Sequence, residues 1–259
     1  MIRADRLGAD VPHLSAIIIT KDEAANIGDC LDSLAFCDER IVVDAASSDG
    51  TMMIAKQKGA RVATHGWTGF GPQKNYALSL AQGDWVLSID ADERVTPELA
   101  QAIRAAIEDG KADGYEIPRR SSFCGRMMRH SGWFPDRVLR LFRRDKGRFT
   151  DDVVHERVVC DGKVARLNEP LLHFPVARLE DAIRRIDQYS TLGAEKLAAS
   201  DRRISALSGV MHGVGTFLRV YLLKLGFLDG AAGFMLAVAN AEGAYYRYQK
   251  AWLARQRRV

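Results

Sequence analysis

Trp85-Val86-Leu87-Ser88-Ile89-Asp90-Ala91-Asp92-Glu93 is the stretch that decides the fold. Its apolar run, with aromatic and β-branched residues, reads as a buried strand that ends in two carboxylates one residue apart. Thr96-Pro97-Glu98 then opens an amphipathic helix, with Thr96 as N-cap and Pro97 at the first helical position. Acids at the carboxyl end of a parallel strand stand in the crevice where open α/β sheets bind ligands. Asp-x-Asp presents hard oxygens suited to Mg²⁺ or Mn²⁺, and such a cation can hold a diphosphate. By itself the pair also fits a solvated turn and helix cap, so its neighbours matter.

Upstream, Ser15-Ala16-Ile17-Ile18-Ile19-Thr20 is another unbroken apolar run, followed by Lys21-Asp22-Glu23 and a helical pattern through Ile27, Leu31 and Leu34. Arg40-Ile41-Val42-Val43-Asp44 is a second buried strand ending in an acid. A helix from about Thr51 to Lys58, a short strand Arg61–Thr64, a loop 67–72 and a helix Gln73–Gln82 lead back to the opening stretch. Alternating strands and helices predict a parallel sheet covered on both faces. Thr20-Lys21, Asp44 and Asp90-x-Asp92 then gather at one edge. Neither Gly-x-Gly-x-x-Gly nor a Walker-type glycine loop follows the first strand, which argues against a dinucleotide oxidoreductase and a P-loop NTPase.

Ala16–Glu23, Val42–Thr51, Gln73-Lys74-Asn75-Tyr76-Ala77 and Asp90-Ala91-Asp92, in that order and spacing, resemble the successive motifs of family 2 inverting glycosyltransferases. The resemblance implies an α/β GT-A fold, with a mostly parallel sheet and a C-terminal helical appendage. It also implies a nucleotide-sugar site at the sheet edge, where Thr20, Lys21 and Glu23 line the pocket for base and ribose. Asp44 would face the base, Lys74 the base or diphosphate, Asp90 the ribose or metal, and Asp92 the metal, Mg²⁺ or Mn²⁺. Many relatives carry a second acid where this chain has Ala45, which leaves the choice between uridine and guanosine open.

From Arg119 to Arg148 the chain is heavily basic, with Phe123, Trp133, Phe134 and Phe142 interleaved. A nucleic-acid surface, a pocket for a phosphorylated sugar acceptor and an ordinary solvated face all fit such a pattern. Arg137, Arg140 and Trp133 are the acceptor-side candidates. In Asp151-Asp152-Val153-Val154-His155-Glu156, displacement at an anomeric carbon needs a carboxylate to take the acceptor's proton. Glu156 is the first candidate for that base and Asp152 the second. His155 is placed to orient the base or hold an acceptor oxygen. His173, after the short run Glu169-Pro170-Leu171-Leu172, is a candidate third metal ligand.

Helices are expected over Leu179–Ala199 and Ala231–Trp252, with an apolar run Thr216–Gly230 between them. Arg219 and Lys224 interrupt that run, so it is expected to lie on a membrane surface, or to pack on the catalytic domain, rather than to span. No stretch reads as apolar and charge-free for long enough to cross a bilayer. Phe217–Tyr221, Lys224–Gly230 and Tyr248–Trp252 resemble the tail of bacterial lipopolysaccharide core glycosyltransferases of the WaaE, KdtX and LgtF type. That likeness implies glucose transfer from UDP-glucose to an inner-core heptose at the cytoplasmic face of the inner membrane. The rival readings are transfer to a polyprenyl-phosphate or other envelope glycan, and a non-catalytic nucleic-acid-binding protein.

The chain of 259 residues, 47% hydrophobic and 27% charged with a net charge of +4, holds ample core and no strong demand for a polyanion. Its expected division is a catalytic domain over 1–176, with a nucleotide half about 13–110 and an acceptor half about 111–176, and an appendage over 177–259. Four scattered cysteines suggest neither a disulfide framework nor a zinc site, as suits a reducing cytoplasm. The start, Met1–Arg6, has no apolar run, so no signal peptide is expected.

Overall fold

The first strand, β1 (Leu14–Thr20), sends Leu14, Ala16 and Ile18 into one apolar layer and Ile17 into another. A strand with no wet face reads as a continuous apolar run, which is how its sequence appears. In the computed structural model, which describes residues 12–150 and 156–256, the chain continues through α1 (Ile27–Ser33), β2 (Glu39–Asp44), α2 (Thr51–Gln57) and β3 (Arg61–Thr64). Next come α3 (Phe70–Leu80), β4 (Trp85–Ser88), β5 (Glu93–Arg94) and α4 (Pro97–Asp109). A run of strands follows: β6 (Gly114–Phe123), β7 (Arg126–Met127), β8 (Asp136–Arg143), β9 (Gly147–Phe149), β10 (Val158–Cys160), β11 (Val164–Arg166) and β12 (Leu171–Val176). Helices α5 (Leu179–Ala198), α6 (Ala206–Leu218) and α7 (Gly230–Gln256) complete the described chain.

Contacts divide it into two compact units, Met1–Arg119 with Arg137–Leu172, and Arg120–Asp136 with His173–Val259. In the first unit the strands run in the order β3-β2-β1-β4-β8-β6. The four N-terminal strands are parallel, as the alternation of strand and helix predicts, whereas β8 pairs antiparallel with β4, Leu141 opposite Leu87. The sheet is therefore mixed. Helix α4 starts as its sequence says: Thr96 Oγ1 accepts the Leu99 amide at 3.2 Å, and Pro97 sits in the first turn. Its buried residues Leu99, Ile103, Ala106 and Ile107 join Trp85, Leu87 and Ile18 in the larger core layer. Helix α3 begins at Phe70, three residues ahead of the expected Gln73, because Pro72 lies in a first turn whose amides need no intrahelical partner.

In the second unit Asp229 ties the segment 120–136 to the C-terminal helices. Its carboxylate accepts the amides of Arg129 and His130 and the Ser131 hydroxyl, each at 3.0 Å. Phe123, Met128, Val176, Ala182, Ala232 and Leu236 form the apolar cluster of this unit. The segment 120–136 thus packs with the helices, whereas the sequence reading groups it with the catalytic half; the bonds responsible span about a hundred residues of chain. Helix α7 packs against both α5 and α6. Gly233 sits where α7 meets the turn at Gly226 so closely that a Cβ would lie 1.9 Å from the Gly226 carbonyl oxygen. The expectation of no membrane-length stretch needs correction. Helix α6 runs on through a π-helical turn (Arg219–Leu223), and Ala206–Leu223 is, by length and composition, apolar enough to cross a bilayer. Reading the apolar run from Thr216 alone hides that continuity.

Candidate active site

The carboxyl ends of β1, β2 and β4 lie side by side, with Thr20 opposite Asp44 in the β1–β2 register. Asp44 is fully buried. Its carboxylate accepts the Thr20 hydroxyl at 2.9 Å, the Ser47 amide at 2.7 Å and the Ser47 hydroxyl at 2.6 Å. Burial without those three donors would be costly, so Asp44, Thr20 and Ser47 form one rigid corner. Lys21 reaches across the same corner to the Ala46 carbonyl at 2.5 Å. Glu23 donates its amide to Thr51 Oγ1 and accepts from the Asn26 side chain, both at 2.8 Å.

Beyond β4, the turn at Asp90 is closed by Glu93: the Asp90 amide donates to Glu93 Oε2 and the Glu93 amide to the Asp90 carbonyl, both at 2.9 Å. Glu93 is fully buried among charges, paired with Arg140 at 2.6 Å and with Arg119 at 3.5 Å. Arg140 also pairs with Asp90 through the same Nη2 atom. The antiparallel run of β8 beside β4 carries Arg140 to this point. The sequence places Arg140 among the acceptor-side bases, but the structure buries it against the acids of the Asp90 turn. Burial works to raise the Asp90 carboxyl, but Arg140 and then Lys74 outweigh it and hold the group far below the usual carboxylate range. For Arg140 burial works the other way, and the two acids raise it above the ordinary guanidinium value.

Lys74, on α3, is the centre of the arrangement. It is buried to 6% exposure, and its ammonium lies 3.1 Å from Asp90 and 3.0 Å from Glu156. Glu156 stands one residue before Arg157, at the neck of the hairpin made by β9 and β10, where Val158 faces Phe149. That neck is fastened twice. Asn75 donates to the Phe149 carbonyl and accepts its amide, both at 2.9 Å, and the Thr150 amide donates to the Arg157 carbonyl at 3.0 Å. Consecutive residues of α3 therefore hold the acid and the strand that presents it.

Thr20, Asp44, Lys74, Asp90 and Glu156 all belong to the first unit. Arg137 there is exposed and donates to the Leu167 carbonyl at 3.0 Å. Trp133 belongs to the second unit, packed edge-on against Phe123 with ring centroids 5.9 Å apart. His173 is also in that unit, its Nδ1 2.8 Å from the Ser121 hydroxyl. Asp152 and His155 lie outside the described residues. Glu93, Arg119 and Ser47 are the site-forming residues that sequence reading passes over. Glu93 was legible as a third acid directly after Asp-x-Asp, whereas nothing local marks Arg119.

Among the described residues no three His, Cys, Asp or Glu side chains form a ready-made metal cluster. Asp90 and the half-buried Asp92 nonetheless offer hard oxygens one residue apart. Mg²⁺-type sites on nucleotides use one or two carboxylates and complete their shell with phosphate and water, so this donor pair fits such an ion.

Comparison with known proteins locates the arrangement. The family described as glycosyl transferase family 2 matches residues 15–164. The lipopolysaccharide core biosynthesis glycosyltransferase LpsC of Rhizobium meliloti is 31% identical over 245 residues, covering 90% of this chain and 89% of that protein. An uncharacterized glycosyltransferase of Rickettsia felis is 30% identical over 254 residues, covering 92% and 88%. Among solved structures, residues 1–349 of S. aureus TarS align over 94% of this chain and 91% of that one, with 18% identity and a TM-score of 0.49.

Proposed function

The chain belongs to glycosyl transferase family 2 and has its GT-A fold, and from that premise we propose that it moves glucose from UDP-glucose, with inversion, onto a heptose of a lipopolysaccharide inner core. The observation that carries this reading is Lys74, whose ammonium bridges Asp90 and Glu156 at 3.1 and 3.0 Å. It joins the acid at the donor end of the sheet to a second carboxylate suited to proton transfer. The likeness to LpsC over nine-tenths of the chain supports the core acceptor.

In this reading the Thr20–Asp44–Ser47 corner receives the nucleoside. The acceptor oxygen attacks C1 of the sugar as the bond from C1 to the diphosphate oxygen breaks. Glu156 takes the hydroxyl proton, and UDP departs with the electron pair. No enzyme nucleophile is needed. Lys74 is placed to meet the negative charge that grows on the leaving diphosphate. Asp92, with Asp90, would hold Mg²⁺ or Mn²⁺, which supplies further charge neutralisation at that leaving group.

The test is Glu156→Gln. It should abolish glucose transfer to truncated core lipid while UDP-glucose with Mn²⁺ still raises the melting temperature. Near-normal turnover would remove Glu156 from the role of base. The absence of any thermal shift with UDP-glucose and Mn²⁺ in the unaltered protein would overturn the donor assignment.

A further inference from the structure

The C-terminal helices carry an apolar face that no part of their own unit covers. Along α6 and the turn that follows it, Leu207, Met211, Val214, Leu218 and Leu222 recur at helical spacing and are all exposed. Met211 keeps 65% of its surface exposed and Leu223 79%, values far from those of core residues. Phe227 and Leu228, in the next turn, continue the face. Between α6 and α7 it dips into a groove of about 380 Å³, lined by Val210, Gly213, Val214, Phe217, Val238 and Tyr245, with Glu242 at its side.

The charge around this face is predominantly basic. Between the exposed Asp201 and Asp229 the chain carries Arg202, Arg203, Arg219 and Lys224 and no acid, and Asp229 is buried under the Arg129 and His130 amides. All four bases are exposed, and they bracket the apolar stripe at both ends. Arg126 adds a fifth base, its guanidinium within about 3.4 Å of a Cβ placed on Gly230. An exposed apolar patch of this extent marks an interaction site, and bases at both ends of it select an anionic partner with an apolar interior.

We propose that this face is a monotopic docking surface for a bilayer rich in anionic lipid. The side chains from Leu207 to Leu228 enter the acyl boundary, and Arg202, Arg203, Arg219 and Lys224 meet the headgroups. The segment lies on the bilayer and does not cross it. The opposite side of α6 is committed to α7, where a Cβ on Gly209 would lie 3.1 Å from the Tyr245 carbonyl oxygen, and α7 itself carries Glu242, Arg247 and Lys250. The surface belongs to the second unit and the donor-site residues to the first, and its test needs no turnover.

The full chain is sedimented with vesicles of phosphatidylcholine alone and of phosphatidylcholine with phosphatidylglycerol. Binding is expected to the anionic vesicles and to weaken as salt rises. Each base near such a surface is worth about 1 kcal/mol, so Arg219→Gln with Lys224→Gln should lower the partition about 30-fold. Met211→Asp with Leu223→Asp should abolish it, and because these side chains are exposed the melting temperature should stay unchanged. Equal binding to both vesicle types, or none to either, overturns the proposal. So does a concentration-dependent dimer in solution that Met211→Asp with Leu223→Asp dissolves, since a second copy would then be the occupant.

Discussion

Replacing Arg140 by Met tests whether the charged cluster behind the Asp90 turn holds the site in shape. The guanidinium is buried and shared by Asp90 and Glu93, and Glu93 has no exposed surface. Removing one partner of a buried pair costs about 3–5 kcal/mol, because the other charge is left uncompensated. Glu93 keeps Arg119 at 3.5 Å and the Asp90 amide at 2.9 Å, which sets the expectation at the low end, about 3 kcal/mol. For a chain of this size each kcal/mol moves the melting temperature by about 2–4 °C, so the drop should be roughly 6–12 °C by circular dichroism. Adding Glu93→Gln removes the stranded charge and should restore most of the loss. The variant also changes the acid limb. In the unaltered protein Asp90 titrates below its ordinary 3.8, so its contribution is complete above that value and fades as pH falls through the lower folded value. Without Arg140 the folded value rises back, and less stability should vanish between about pH 4 and pH 2. A drop under about 2 °C, or a double variant whose loss equals the sum of the two single ones, would refute the reasoning.

Asn75→Ala removes both hydrogen bonds that fasten Phe149; it should cost about 1–3 kcal/mol and depress transfer while the UDP-glucose thermal shift persists. Asp229→Ala strips two amides and a hydroxyl of their acceptor and should destabilise by about 3 kcal/mol in urea unfolding. Burial tends to raise the Asp229 carboxyl, but the Arg129 amide and its companions lower it on balance. The contribution of Asp229 is therefore full above pH 4 and should disappear on acidification below it. Burial pushes the Cys37 thiol up to about 12, against a smaller pull from Arg104, and raises Cys30 further. In the folded protein at pH 8 Ellman's reagent should spare both and reach them only in denaturant.

Strands β1, β2 and β4 and the capped helix α4 were legible because their signals are local: unbroken apolar runs, an acid at the strand end, and Thr-Pro before a periodic helix. Lys74 was legible only as a motif residue. That it is buried and bridges Asp90 to Glu156 depends on a hairpin 82 residues later in the chain. Arg140 reads as an acceptor-side base because it falls in a basic stretch; its burial against the Asp90 turn follows from the antiparallel run of β8, which no local pattern reports. The grouping of 120–136 with the helices rests on Asp229, 100 residues on from Arg129. Helix α6 escaped notice because its glycines and Ser208 blur the pattern, although Gly209 and Gly213 are the buried points facing α7.

The doubly fastened neck of the β9–β10 hairpin has an engineering consequence. Because Asn75 holds Phe149 and the Thr150 amide holds the Arg157 carbonyl, the Glu156 carboxylate is geared to the same helix that carries Lys74. A variant designed to shift α3 should therefore move acid and ammonium together, whereas Asn75→Ala should uncouple them.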